Sequence, residues 1–455
     1  MNSMSPRPPL QKDEFFSQNP RTKKYMHHIP VLTLLGINKS GYSIQTSRTP
    51  KKKLPNLTDF CQLKDNDIEN IIYLPGAPLR PTEVLKIFPD KLSLLELAEI
   101  LGYKEIYYIG EIEAKPAKAF KNEHYLDKKK HYSAKPNDQI AYRYQILSTA
   151  GSGAFSRVYR CFDHKLHRPV AIKIIRGKEE CLQYSEIEAE IQGSLHSNHI
   201  VAFYEAFSWR GLFCFSMELL YTDIYSIIET KKYGILKPSI IRRVTYQILQ
   251  ALSLLASKKV VHADIKPENI LAVDPNIEQV KLGDFGTSCY EDSQLFSYIQ
   301  SRYYRAPEVL FGIHYDSQID IWSLGCVVYE LITGEPLFPA ENEEELFKMI
   351  TIMIGPPPID VFIDGSKFHE FDLSFGMMID KPSLPSKIAL LPTGMAQFIQ
   401  NSIVWDPEKR ITPDQALQLK WMESERLAST NQPKNTQINQ KQNLIKSPRI
   451  KKPWH

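Results

Sequence analysis

The feature that most constrains this chain is the stretch Val261-His-Ala-Asp264-Ile-Lys266-Pro-Glu-Asn269-Ile-Leu, followed by Gly283-Asp284-Phe285-Gly286. An aspartate, a lysine and an asparagine stand at relative positions 0, +2 and +5 between apolar runs. Polar groups so flanked belong in a loop at the edge of a core, where they need partners or a ligand. The sequence on either side changes character. Tyr142–Ile146, Arg157–Phe162, Pro169–Ile175, His199–Ala206 and Leu212–Leu219 read as strands by alternation or β-branched content. Ile187, Ile191 and Leu195 recur on one face of an intervening helix. After Leu220, Ile241, Val244, Ile248, Leu252 and Leu255 follow helical spacing, and Ile319–Ile332 is apolar almost all round, as in a buried helix. Strands first and helices afterwards predict an α+β body in two unequal lobes.

Between the first two strands lies Gly151-Ser152-Gly153-Ala154-Phe155-Ser156-Arg157-Val158. Glycines let a backbone approach phosphate oxygens and offer N–H groups to them, although two glycines also suit an ordinary hairpin turn. The next strand carries Val170-Ala171-Ile172-Lys173. A lysine among Val and Ile is an awkward core residue unless it meets anions, and phosphates plus a helix glutamate would satisfy it. Glu186 and Glu190 are four apart and share a face, with Glu188 pointing elsewhere; Glu190 is the preferred partner, a solvated acidic face being the alternative. Phosphoryl transfer asks for such a set: a carboxylate for the attacking hydroxyl (Asp264), a lysine for the transferring group (Lys266), and an asparagine and second carboxylate for Mg²⁺ (Asn269 and Asp284).

Composition narrows the setting. The 455 residues are 43% hydrophobic and 24% charged, an ordinary globular balance with apolar material for two or three cores. No apolar run approaches the roughly 18 residues that span a bilayer, and the first residues lack the apolar stretch of a secretory signal. The six cysteines form no CxxC pair, which predicts neither a zinc site nor a disulfide framework but reduced thiols, hence a cytoplasmic and/or nuclear protein without a membrane partner. Net charge is +4, yet residues 1–60 carry ten Lys/Arg against three Asp/Glu, and 426–455 carry seven Lys/Arg and no acid. Basic ends suit an import signal, a nucleic-acid patch or a solvated tail. No aromatic interleaving or fold motif supports specific nucleic-acid binding. Oligomeric state leaves no signature.

The expected division is a mostly disordered basic N-terminus (1–60), an accessory region and connector (61–138), a two-lobed domain (139–425, the small lobe to about 219 and the large lobe 220–425) and a disordered basic tail (426–455). Leu94, Leu95, Leu97, Ala98 and Leu101 can share one side of a short accessory helix, an apolar patch in need of a partner surface. Glu105-Ile-Tyr-Tyr-Ile reads as a strand-like segment, and Lys115–Lys135 as a lysine-rich connector.

With Ala306-Pro-Glu308, Asp320-Ile-Trp-Ser-Leu-Gly325 and Asp406-Pro-Glu-Lys-Arg410 added, residues 142–425 resemble a eukaryotic protein kinase domain. That resemblance implies a small β-rich lobe with one main helix, a large helical lobe, ATP and Mg²⁺ as cofactors, a buried Glu308–Arg410 ion pair, and Asp320 holding the catalytic-loop backbone. It also implies nucleotide contacts at Gly151, Ser152, Gly153, Ala154, Phe155, Val158, Ala171, Lys173, Glu190, Met217, Glu218 and Leu220. Ala141-Tyr-Arg-Tyr, Phe162-Asp-His-Lys165, Ser288-Cys-Tyr-Glu291 and Ser297-Tyr-Ile-Gln-Ser-Arg-Tyr-Tyr-Arg-Ala-Pro-Glu308 are similar to the dual-specificity tyrosine-phosphorylation-regulated kinases of the CMGC group. Leu97-Ala-Glu-Ile-Leu-Gly-Tyr-Lys-Glu-Ile-Tyr-Tyr-Ile-Gly110 resembles the accessory region of their class II. The resemblance implies autophosphorylation on Tyr298, its phosphate near Arg302 and Arg305, and then transfer to Ser/Thr-Pro sites of protein substrates. Four positions depart from the pattern: Ser156 for a third glycine, Ala263 within the catalytic triplet, Phe296 for a first loop tyrosine, and Met217 for the usual phenylalanine before the hinge. Every group the chemistry needs is present. The competing reading is a pseudokinase scaffold that binds partners without transferring phosphate.

Overall fold

The computed structural model describes residues 63, 65–114, 126–230, 236–294 and 299–431. Six antiparallel strands form the small-lobe sheet in the order β1-β2-β3-β4-β6-β5: β1 (Gln139–Ile140), β2 (Tyr144–Ser152), β3 (Ser156–Asp163), β4 (Arg168–Ile175), β5 (Phe203–Trp209) and β6 (Leu212–Glu218). Tyr144, Ile146, Tyr159, Ile172, Cys214 and Trp209 bury one layer of this sheet. Alternation along the pleat places them together, as the sequence pattern predicts.

The sheet's edge carries an accessory layer. Helices α1 (Pro81–Ile87) and α2 (Leu94–Glu99) build a small core from Val84, Leu92, Ile100, Ile106 and Ile109 that also takes in Tyr142 of the sheet's edge. The inward face of α2 differs from the apolar side read from the sequence. Leu94 is 65% and Leu101 55% exposed, whereas Glu96 is buried at 1%. Partners explain the rotation: Glu96 Oε1 accepts from Gln139 Nε2 at 3.0 Å and meets Arg210 Nη2 at 3.5 Å. A buried carboxylate is tolerated when so bonded. Glu99 extends the contact through Arg210 Nε and Nη2, both at 3.0 Å, and the Tyr142 hydroxyl, also at 3.0 Å. At the joint, Ala141 and Tyr142 both hold left-handed backbone (φ 52° and 54°). Non-glycine residues persist there only when neighbours fix them. Gln139 Oε1 takes the Tyr142 N–H at 2.8 Å, and Tyr142 O accepts the Tyr107 and Tyr108 amides. Residues 105–109 form a single bridge, Ile106 to Leu79, rather than a strand.

Helix α3 (Glu179–Ser194) crosses the small lobe, and the large lobe follows with α4 (Pro238–Ser257), the buried α5 (Gln318–Thr333), α6 (Glu343–Ile354) and α7 (Thr393–Ser402). Its core gathers Ile241, Val244, Ile248, Leu252 and Leu255 of α4 with most of α5, including Trp322. Helices α5 and α7 meet closely at Gly325, where an added Cβ would lie 2.7 Å from the Ser402 Cβ. Only glycine fits there. Arg410 and Glu308 form the buried ion pair the resemblance implies, Nη1–Oε1 at 2.7 Å and Nη2–Oε2 at 3.0 Å.

Candidate active site

The catalytic loop is fixed from below. Asp320, near the start of α5, accepts the His262 and Ala263 amides at 2.8 and 2.9 Å. Ala263 sits at φ 62°, so these two bonds hold a backbone conformation that alanine disfavours. Burial pushes the Asp320 carboxyl up to about 7 against those donors. His262 is fully buried, its Nε2 3.0 Å from Gly283 O, and burial pulls its pKa down. A neutral ring is consistent with Nδ1 facing the Asp264 amide at 3.3 Å. Phe285, wholly buried, packs edge-on to that ring at 4.9 Å.

Above this support the predicted groups converge. Asp264 Oδ2 lies 2.6 Å from Lys266 Nζ and 3.0 Å from Asn269 Nδ2, which also donates to Asp264 O at 2.8 Å. Asp264 Oδ1 accepts the Ser301 hydroxyl at 2.9 Å and the Ser301 amide at 3.2 Å, and Lys266 Nζ donates to Ser301 Oγ at 3.1 Å. Ser301 is a site residue that sequence reasoning did not single out. It reaches Asp264 because the chain returns from far along the sequence, and a lone serine carries no signal of that.

Lys173, on β4, is paired with Glu188 at 2.5 Å and with Asp284 at 2.9 Å. This corrects the choice of Glu190. On α3 the inward residues are Cys181, Ser185, Glu188, Ile191 and Gln192, whereas Glu186 and Glu190 are exposed. Glu190 instead accepts the Tyr290 hydroxyl at 3.4 Å. Burial would discharge Lys173, but Asp284 and Glu188 outweigh it and hold its pKa above the ordinary lysine value. The Lys173 ammonium in turn holds Asp284 well below the usual carboxylate range.

The donor set suits a hard divalent cation. Asn269 uses its Nδ2 on Asp264, which leaves its carbonyl oxygen as a ligand. The Asp284 side chain is 55% exposed with Oδ1 on Lys173. Oxygen ligands of this kind are what magnesium and similar ions prefer.

The residues expected to face nucleotide lie on neighbouring strands. Val158 pairs with Lys173, and Ala171 with Met217. Gly151–Phe155 form the β2–β3 tip, open around both glycines. Met217 and Leu220 belong to a buried cluster with Phe215 and Val201. The Met217 Sδ meets the amide of Gln192 at 3.6 Å. Glu218 clamps the lobes together, its carboxylate taking Lys281 Nζ of β7 (Val280–Leu282) at 2.7 and 2.9 Å and the Ala202 amide at 3.2 Å.

Tyr298 and Phe296 lie outside the described residues. Arg305 is buried, with Nε and Nη2 on the Ile299 and Gln300 carbonyls at 3.0 Å each and Nη1 on Glu343 at 2.7 Å. Arg302 donates to Glu341 O.

Residues 144–422 match the family described as the protein kinase domain. The chain is 37% identical over 370 residues to human dual specificity tyrosine-phosphorylation-regulated kinase 4, covering 76% of this chain and 71% of that protein. It is 36% identical over 365 residues to the Drosophila melanogaster dual specificity tyrosine-phosphorylation-regulated kinase 2, covering 75% of this chain and 51% of that one. With the DYRK-family kinase pom1 of Schizosaccharomyces pombe it shares 35% over 391 residues, 81% of this chain and 36% of the relative. The scaffold reading gains no support from these likenesses.

Proposed function

The chain belongs to the dual-specificity tyrosine-phosphorylation-regulated family of protein kinases, and from that premise we propose that it autophosphorylates on Tyr298 and phosphorylates serine and threonine before proline in other proteins. A protein kinase uses ATP and a divalent cation; here the cation is read as Mg²⁺, held by Asn269 and Asp284.

The observation that carries the reading is the convergence of Asp264, Lys266, Asn269 and Ser301. A substrate hydroxyl placed against Asp264 gives its proton to that carboxylate as its oxygen bonds to the γ-phosphorus and the bond to the ADP oxygen breaks. Lys266 remains protonated, since Asp264 outweighs its burial, and so can offset charge on the phosphoryl oxygens. Asn269 holds the Asp264 side chain in place.

Preference for proline is supported by the segment after the catalytic loop. Gln300 adopts φ 60°, and the buried Arg305 guanidinium takes both the Ile299 and Gln300 carbonyls. A residue following the acceptor serine, seated against this segment beside Ser301, would find these acceptors already engaged. Proline has no N–H to satisfy, so it loses nothing there.

The test is mass spectrometry of the Tyr298 peptide from protein made in bacteria, as wild type and as Asp284→Asn. Phosphate on Tyr298 in the first alone supports autophosphorylation. An unmodified Tyr298 in both, from a wild type that phosphorylates Ser-Pro peptides, refutes it. Equal rates on Ser-Pro and Ser-Ala peptides would remove the proline preference.

A further inference from the structure

Residues Leu126–Tyr132 fold back on themselves, with Leu126 bridging Tyr132 and the Asp127 amide donating to His131 O at 2.8 Å. Asp127 organises the turn. Its Oδ1 accepts the Lys129 and His131 amides at 2.8 and 3.0 Å, and its Oδ2 takes Arg157 Nη2 at 3.0 Å. The hairpin crosses the small lobe between the glycine-rich β2–β3 tip and the segment leading into α3. On one side Arg157 Nη1 donates to Tyr132 O at 3.0 Å, where the Tyr159 hydroxyl also donates at 2.7 Å. On the other, the Gly177 amide donates to Lys130 O at 3.0 Å. Arg176 spans the gap: Nε donates to Lys129 O, and Nη1 to Ala154 O at 3.3 Å. Its backbone N–H donates to Phe155 O at 2.8 Å.

Apart from its own β2–β3 ladder and the Gly153 amide on Ser156 O at 2.9 Å, the tip has little else to hold it. An added Cβ at Gly151 would meet nothing within 4 Å, and one at Gly153 only Ser156 O at 3.8 Å. Phe155 is 41% exposed. A turn without packing is positioned by its tethers, and ordering it before the ligand arrives lowers the entropy cost of binding.

We propose that the hairpin 126–132, acting through Arg157 and Arg176, positions the glycine-rich turn Gly151–Ser156 for nucleotide, which makes these two arginines positioning residues for ATP. The inference rests on the ATP use that the family assignment carries. None of these contacts involves Asp264, Lys266, Asn269 or Asp284, so loss of the tethers weakens nucleotide binding and leaves the chemical step alone.

The test uses the full chain as wild type, Asp127→Ala, Arg176→Met, Arg176→Lys and Lys129→Ala. It reads kcat, KM for ATP, KM for a Ser-Pro peptide, Mg-ADP affinity by calorimetry, and melting temperature. Asp127→Ala and Arg176→Met are expected to raise KM for ATP and weaken ADP binding by about five- to tenfold, with kcat and peptide KM within about twofold. Arg176→Lys, able to reach one carbonyl but not both, falls between. Lys129→Ala stays at the wild-type value, because Arg176 meets the main chain of that residue. Folded Asp127→Ala and Arg176→Met proteins with unchanged ATP KM and ADP affinity would overturn the proposal, as would an equal loss in kcat and both KM values. A wild type that binds ADP without phosphorylating any peptide would count against the kinase reading instead, and the ADP series would still decide this one.

Discussion

Glu188 Oε1 stands 2.5 Å from Lys173 Nζ, with the two side chains only 5% and 7% exposed. The contact ties helix α3 to strand β4 and leaves the ammonium facing Asp284. A buried charge with its partner removed is costly, and here the partner also sets where the lysine points. Glu188→Gln is expected to lower kcat/KM roughly a hundredfold, while Glu190→Gln, whose carboxylate accepts the Tyr290 hydroxyl at 3.4 Å, stays within about threefold. A peptide-phosphorylation assay on both variants checks this; equal losses would show that the helix does not hold its observed rotation.

Arg410 and Glu308 are 0% and 1% exposed in their side chains and share two parallel hydrogen bonds. Replacing one partner strands the other in the large-lobe core. Arg410→Met should therefore destabilise the protein by about 3–5 kcal/mol, read as a lowered denaturation midpoint. Glu308→Gln and Arg410→Met together should cost less than the sum of the single changes, because the stranded charge is gone.

His164 is buried, stacked on Tyr108 at 4.7 Å, with Nε2 3.1 Å from Gln145 Oε1. Burial first of all lowers its pKa from 6.5 to about 4. Below pH 6.5 the unfolded chain binds a proton that the folded ring refuses, so the stability is complete above that pH and is lost as pH falls toward 4. The full loss is about 3 kcal/mol. His262, also shifted down by burial, acts in the same sense. Denaturant unfolding between pH 7.5 and 4.5 should show the fall, and a His164→Gln variant should show a shallower slope. Identical slopes would remove His164 as a source.

Gln192 is 1% exposed on the inward face of α3, yet among the described residues its amide nitrogen finds only Val201 O at 3.4 Å and Met217 Sδ at 3.6 Å. Bonds this long compensate a buried amide poorly. Gln192→Leu is expected to raise stability by about 1 kcal/mol, measured by thermal unfolding. A drop in melting temperature would mean the amide is better satisfied than these distances imply.

The catalytic loop was readable because its chemistry is local: Asp264, Lys266 and Asn269 lie within one loop, and their spacing alone brings them together. The two lobes were readable for a similar reason, since β-branched alternation gives way once, near Leu220, to helical spacing. Residues placed by tertiary packing were not. Glu188 was passed over because helix periodicity gives a face and not the rotation of that face against the sheet; Cys181, Ser185 and Gln192 on the same side were the available hint. Glu96 was hidden because a hydrophobic pattern assigns carboxylates to the outside, and only Gln139 and Arg210 make the inside tolerable. Asp127 sat in a lysine-rich stretch read as a connector, although its carboxylate ties the hairpin to Arg157.

The bond between Glu218 and Lys281 has a consequence for turnover. It joins the segment linking the lobes to β7 beneath it, and the Ala202 amide donates a third hydrogen bond to the same carboxylate. The rear of the cleft is thus bolted, whereas the Gly151–Phe155 turn at the front is open around both glycines. Departure of spent nucleotide is therefore expected to follow the stiffness of the Gly151–Phe155 turn rather than a swing of whole lobes.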